Sequence, residues 1–197
     1  MTPTEAAALR PRVEGDREQE ILDAALEVLA EVGYDRLTMD AVAHGAKASK
    51  ATLYRRWNTK AALVVDALAS QKEAPALPDT GDLRSDLVGA FCGLGGLADH
   101  DITSTFGAVI TALSTDPEFA AEFRAKVLLP KSQLSRTVFE RAQARGELRC
   151  DLDLDIVVPA LAGIVLHRIF VMGEPPAPDL IERAIDQIIL PAVRPQA

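Results

Sequence analysis

Apolar residues in this chain recur at spacings of three and four almost from end to end. No segment keeps the strict alternation that a half-buried strand needs. Ile21, Ala25, Val28, Leu29 and Val32 make one stripe, which predicts a helix capped by Asp16 and ended by Gly33. Thr38 predicts the cap of a short second helix. Leu37 and Val42 stand at the spacing of a hydrophobic staple, and Asp40 is in the first turn, where negative charge suits the helix dipole. Ser49 predicts a third helix over about 50–56, roughly 10 Å long at 1.5 Å per residue. A helix that short is unstable alone, so its neighbours must hold it. Thr59 opens a fourth helix running to about Gln71, and the Pro- and Gly-containing stretch EAPALPDTG (73–81) reads as a linker.

Five further helical segments follow. Leu83, Leu87, Phe91 and Leu94 stripe the first, which should end near Leu97. Thr103–Ser114 is the second. Asp116–Pro117 supplies a cap and first-position pair for the third, and Pro130 predicts its kink or break. Gly146 ends the stretch after Pro130. Asp153 or Asp155 starts an apolar helix through Met172. In the last helix Leu180, Ile181, Ala184, Ile185, Ile188, Ile189 and Ala192 form a wide apolar stripe. The fold class expected is all-α, with about nine helices. Residues 1–15 are expected as a disordered arm, 16–72 as a first domain, 73–81 as the linker and 82–197 as a helical bundle.

Charge changes the picture at one place. The chain of 197 residues carries a formal net charge of −8, yet Lys47–Lys60 (KASKATLYRRWNTK) holds Lys47, Lys50, Arg55, Arg56 and Lys60 with no acidic residue. Residues 1–72 hold ten Lys and Arg against eleven Asp and Glu, whereas residues 73–197 hold eleven against eighteen. A near-neutral first part with one basic face, joined to an acidic second part, suits a protein with two jobs. Cys92 and Cys150 fit no metal or redox spacing and agree with a cytoplasmic, reducing location. The N-terminal residues do not read as a signal peptide. The run Ile156–Met172, interrupted by His167 and Arg168, reads as a buried helix rather than a membrane span.

Two short capped helices joined by the turn AHGAKA have the form of a helix-turn-helix. The second helix of such a pair enters the major groove of double-stranded DNA, N-terminal residues first. Here those are Lys50, Ala51 and Thr52: lysine can donate to guanine, and the threonine methyl can meet a thymine methyl. Tyr54, Arg55, Arg56 and Trp57 are expected to reach flanking phosphates, with backbone amides at Thr38 and Thr59 as further donors. Lys47 adds a contact from the turn and Ser49 caps the reading helix. A phosphate would account for Lys60, a cation in the first turn of the fourth helix.

The block ILDAALEVLAEVGYDRLTMDAVAHGAKASKATLYRRWNTKAALVVDAL strongly resembles the N-terminal domain of the tetracycline-repressor (TetR) family. The resemblance rests on A-x-x-x-x-x-x-x-G-Y from Ala25, the Thr38 start, SKATLYRRW, and the lysine opening the fourth helix. It implies that Thr38, Lys50, Thr52, Tyr54, Trp57 and Lys60 occupy positions that commonly touch DNA. One departure stands out. The family usually has glycine then valine before the capping serine, where this chain has Lys47 and Ala48. A left-handed turn residue other than glycine costs about 1 kcal/mol.

The resemblance extends less sharply to ALSTDPEFAAEFR, ERAQARGELR, DLDLD and GEP in the second half. It implies a small-molecule effector pocket inside a helical bundle and a homodimer formed by the last two helices. Pocket candidates are Phe106, Ile110, Leu113, Phe119, Phe123, Phe139, His167 and Phe170, each with plain core as its rival assignment. Ile181, Ile185, Ile188 and Ile189 are the dimer candidates, because the last stripe is wider than one core uses. A ligand-released repressor on a near-palindromic operator is the function expected. An effector-independent regulator whose second domain only dimerises is the alternative. No nucleophile stands beside a base, so no enzyme, cofactor or metal is expected. Asp151, Asp153 and Asp155 imitate a calcium loop but meet Ile156 and Ala162 where glycine and glutamate are needed. Gly93, Gly95 and Gly96 follow no strand, and His44, His100 and His167 are scattered.

Overall fold

The computed structural model describes residues 14–70, 77–93, 100–174, 177 and 179–195. Among them nine helices form and no strand does: α1 (Glu14–Arg36), α2 (Met39–Gly45), α3 (Lys50–Arg56), α4 (Lys60–Ala69), α5 (Leu83–Gly93), α6 (His100–Thr115), α7 (117–144), α8 (Leu154–Val171) and α9 (180–193). Most of the arm, linker residues 73–76, Leu94, Gly95, Gly96 and Leu97 lie outside the described residues.

The caps form from short side chains at predictable places. Thr38, Ser49, Thr59 and Asp116 accept from the backbone amides of Ala41, Thr52, Ala62 and Phe119 at 3.0–3.2 Å. Asp153 accepts from the Asp155 amide at the start of α8. Gly33, at φ 75°, breaks the helical run near the end of α1, and Gly146, at φ 78°, follows α7. Asp16 is not the cap of α1, because the helix is already formed at Glu14. Nor does Pro130 end its helix. The ladder widens to a π-type turn over Arg124–Leu128 and then runs on to Ala144. The reason is local: proline has no N–H to return, and its ring crowds the carbonyl four residues back, that of Lys126.

Two main cores result. Ile21, Ala25 and Leu29 of α1 pack with Val42, Leu53, Trp57 and Leu63–Val65. That core continues across the linker into Val109 and Ala112 of α6 and Phe119, Phe123 and Val127 of α7. Leu83, Leu87, Val138, Phe139, Leu161, Ile185 and Ile189 anchor the second core. Helix α7, roughly 42 Å long at 1.5 Å per residue, is common to both. The described end of the linker is pinned. Asp86, fully buried, accepts from the Thr80 amide and hydroxyl at 2.7 Å and pairs with Arg145 at 3.3 Å.

Tyr34 joins the two sides of the first core. Its hydroxyl donates to Asp116 at 2.6 Å, and its ring lies 4.8 Å from that of Phe119. Burial, then the Asp116 carboxylate, pushes the Tyr34 phenol pKa well up, and the phenol hydrogen bond holds Asp116 below the usual carboxylate range. The Asp116 contribution is therefore present above about pH 4 and is lost as the pH falls through its folded value. Tyr34→Phe is expected to cost about 1 kcal/mol and to flatten the acid limb of stability, checked by thermal unfolding from pH 2 to 7.

Candidate nucleic-acid interface

Seven residues of α3 divide by helical period into two faces. Leu53 (0% exposed) and Trp57 just beyond it (2%) point into the core, whereas Lys50, Ala51, Tyr54, Arg55 and Arg56 are exposed. Burial of Leu53 stabilises the helix by about 2 kcal/mol, which its own hydrogen bonds could not supply. The expectation that Trp57 reaches phosphate with its side chain is corrected. The ring is in the core, and its Nε1 donates to Asp66 Oδ2 at 2.9 Å because a buried indole N–H needs an acceptor.

The turn before α3 is built as its sequence departure requires. Lys47 is the one residue other than glycine with positive φ among the described residues, at 51°. The Ala48 amide returns to the Ala43 carbonyl at 2.8 Å, and Arg17 Nη2 donates to the Lys47 carbonyl at 2.7 Å. Arg17, thirty positions away, had no local signal to mark it.

Several cations of the window already have partners. Lys50 Nζ meets Asp40 Oδ2 at 2.6 Å, which raises its pKa, and Arg56 meets Glu18 at 2.9 Å. Both pairs are largely exposed, and such pairs contribute about 0–1 kcal/mol, so an incoming phosphate or base can displace them. Lys60, expected at a phosphate, already has partners within the protein. Its Nζ donates to the Tyr34 carbonyl at 2.9 Å and lies 4.3 Å from the Tyr34 ring centroid, so the end of α1 already accounts for a cation there. Ser49 and Thr52 hydroxyls lie 2.8 Å apart. The outward face of α3 thus presents an amine, a phenol and guanidinium groups on a rod narrow enough for a major groove.

The second half sorts its candidates differently. Phe119 and Phe123 belong to the first core, stacked 5.8 Å apart, and Phe139 (1% exposed) belongs to the second, so none is a free pocket wall. Leu113 packs on the first core from its edge, Ile110 is 39% exposed, and His167 is exposed on the outer side of α8. Phe106 and Phe170 alone among these candidates remain partly buried and outside the two main cores, with ring centroids 6.2 Å apart. Of the dimer candidates, Ile185 (0%) and Ile189 (2%) are core, because they pack on α5 and α8; Ile188 is 50% exposed and Ile181 partly buried.

Comparison with known proteins agrees with this arrangement. Residues 21–67 match the family described as bacterial regulatory proteins, tetR family, and residues 77–188 match the tetracyclin repressor-like C-terminal domain. An HTH-type transcriptional regulator of Mycobacterium tuberculosis, described as uncharacterized, is 34% identical over 195 residues, covering 97% of this chain and 92% of that protein. The chain belongs to the TetR family.

A DNA-binding transcriptional repressor TetR of Mycobacteroides abscessus is 33% identical over 183 residues, 92% of this chain and 96% of its own. The crystal structure of the TetR family transcription regulator SCO0332 superposes with a TM-score of 0.70 at 30% identity, over 91% of this chain and all of that one. This TetR-family protein is a DNA-binding transcriptional regulator and not an enzyme.

Three expectations follow for the interface. Lys47→Gly should raise stability by about 1 kcal/mol, a rise of roughly 2–4 °C in Tm. Asp40→Asn should free Lys50 and raise affinity for all duplexes about two- to five-fold, whereas Tyr54→Ala should lower affinity for all duplexes together; both are read in titrations of fluorescent DNA. A loss of affinity in Asp40→Asn would show instead that the carboxylate positions Lys50.

Proposed function

We propose that this regulator is a homodimeric repressor that holds a near-palindromic operator and releases it when a small molecule occupies the second half. The observation that carries the dimer is the outer face of the last two helices. Helix α8 is long and apolar enough, by length and composition, to cross a bilayer, yet only 28% of it is buried within the protomer. Ile156 and Val171 are each 70% exposed, Met172 59% and Ile188 on α9 50%. A stripe of this kind on a soluble regulator is covered by its own copy, because a two-fold operation places the same apolar patch on both partners. The dimer then presents two α3 helices to half-sites about 34–36 Å apart.

On this reading Lys50, Ala51 and Thr52 address bases, and Tyr54, Arg55, Arg56 and Lys47 address phosphates, with the Thr38 and Thr59 caps as backbone donors. Lys60 has donors beyond the one that meets the Tyr34 carbonyl, and a phosphate beside the end of α1 could take one of them. The effector reading is supported by the Phe106–Phe170 pair, which stands apart from the two main cores, and the repressor reading by the Mycobacteroides abscessus relative, a DNA-binding transcriptional repressor. A hundredfold loss of operator affinity requires the effector to favour the released form by about 2.8 kcal/mol.

The test is selection of bound fragments from a random duplex library, together with sedimentation of the protein. Enrichment of a two-fold symmetric site and a dimeric mass are expected; asymmetric sites or a monomer would overturn the reading. Ile156→Glu with Ile188→Glu should yield monomers that lose the symmetric site while retaining weak, salt-sensitive binding.

A further inference from the structure

The side chain of Asp66, in the middle of α4, lies between the two functional halves and bonds to both. Its Oδ2 accepts from Trp57 Nε1 at 2.9 Å, and its Oδ1 accepts from Lys126 Nζ of α7 at 2.9 Å. Trp57 is the residue that caps the C-terminal end of α3. The geometry points to Asp66 as a positioning residue through which α7 sets the seating of the reading helix. This deepens the ligand-control proposal above and rests on it for its regulatory use.

The two bonds of Asp66 differ in how easily they break. The indole is buried, so losing its acceptor would strand an N–H in the core. The Asp66–Lys126 pair is one-third to nearly one-half exposed, and pairs of that kind are weak. A change in α7 therefore breaks the Lys126 end first, while the Trp57 end stays made. Lys126 is at the same time paired with a second carboxylate: Glu122, one turn back on its own helix, at 3.0 Å. Both carboxylates raise the Lys126 pKa, Asp66 first. If α7 slides along α4, Lys126 keeps Glu122 and gives up Asp66, so the pairing has two discrete arrangements.

Lys126 also sits where α7 is least regular. It lies inside the widened Arg124–Leu128 turn that Pro130 imposes, and wide turns of this kind accommodate small register shifts that a regular helix resists. The adjustable bond and the adjustable turn thus coincide, on the face of α7 that meets α4.

The test uses the whole protein, whose single tryptophan makes intrinsic emission a report on Trp57 alone. Lys126→Met removes the cation, Lys126→Arg restores it, Asp66→Asn keeps an acceptor for the indole without the charge, and Glu122→Gln removes the competitor. DNA affinity is measured on the symmetric duplex enriched from the random library. Lys126→Met and Asp66→Asn should each shift the Trp57 emission and weaken binding about five-fold with the salt slope unchanged, because in this proposal Lys126 acts through Asp66 and not on a phosphate. Lys126→Arg should match the parent protein, and Glu122→Gln should bind at least as tightly. The proposal is overturned if Lys126→Met leaves emission unchanged and affinity within about two-fold, if Lys126→Arg behaves like Lys126→Met, or if the salt slope falls by about one. If no duplex is enriched, the operator reading fails by itself and the emission of Lys126→Met against Lys126→Arg still decides the coupling.

Discussion

A helix of seven residues has no stability of its own in water, and the surface proposed to read DNA is mounted on one. The structure meets that constraint by burying Leu53 and Trp57, the two side chains one turn apart on the inner face. Burying a tryptophan brings a polar demand with it, since the indole N–H must find an acceptor, and Asp66 supplies it from α4. Helix α4 therefore has to lie close behind α3. Its own apolar side chains share a core with α1, α6 and α7. The reading helix cannot be seated without also being tied, at one remove, to the second half of the chain.

The charges bear on how an acidic chain could meet DNA. With a formal net charge of −8 the molecule as a whole repels a polyanion, so attraction is confined to the face of α3. Even there, Lys50 and Arg56 are matched to Asp40 and Glu18. These exposed pairs cost little to exchange for a well-placed guanine or phosphate, but they give nothing to a duplex that places its acceptors elsewhere. If α3 reads DNA as proposed, the arrangement would lower background affinity more than specific affinity, which is how a specificity ratio grows. Lys47 follows the same logic in reverse. It accepts an unfavourable left-handed backbone and puts a cation at a turn where the family usually has glycine, with Arg17 bracing its carbonyl.

What could be read from the sequence was whatever is decided locally. Thr38, Ser49, Thr59 and Asp116 each lie just before an apolar-periodic run, and each caps as that position dictates. Gly33 ends helical geometry because its φ favours glycine. The errors arose where two faces of one helix compete. The basic neighbours of Trp57 suggest a phosphate-reaching residue, although its spacing of four from Leu53 marks the inner face. Ile185 and Ile189 lie on a stripe wide enough for a core and a dimer, and only the neighbours of α9 decide that these two are core while Ile188 is not. Phe119 reads as one more apolar residue of the second half. The contact that gives it its place, with Tyr34, spans 85 positions of the chain and leaves no local trace.

Those distant contacts also decide how a signal could cross the molecule. Helix α7 contributes Phe119, Phe123 and Val127 to one core and Val138, Phe139 and Ala142 to the other. A close-packed interior transmits displacement rather than absorbing it, so a straight α7 would oblige both cores to shift as one body. Pro130 relaxes that requirement by widening the turn around Val127, at the end of the first set of contacts and before the second begins at Val138. The second core can then respond to an occupant while the first, which seats α3, keeps its packing until the shift reaches Lys126. On this view the proline expected to interrupt the helix instead divides one continuous helix into two mechanical segments. The lysine that bonds Asp66 stands at the division, where a small register change is least costly.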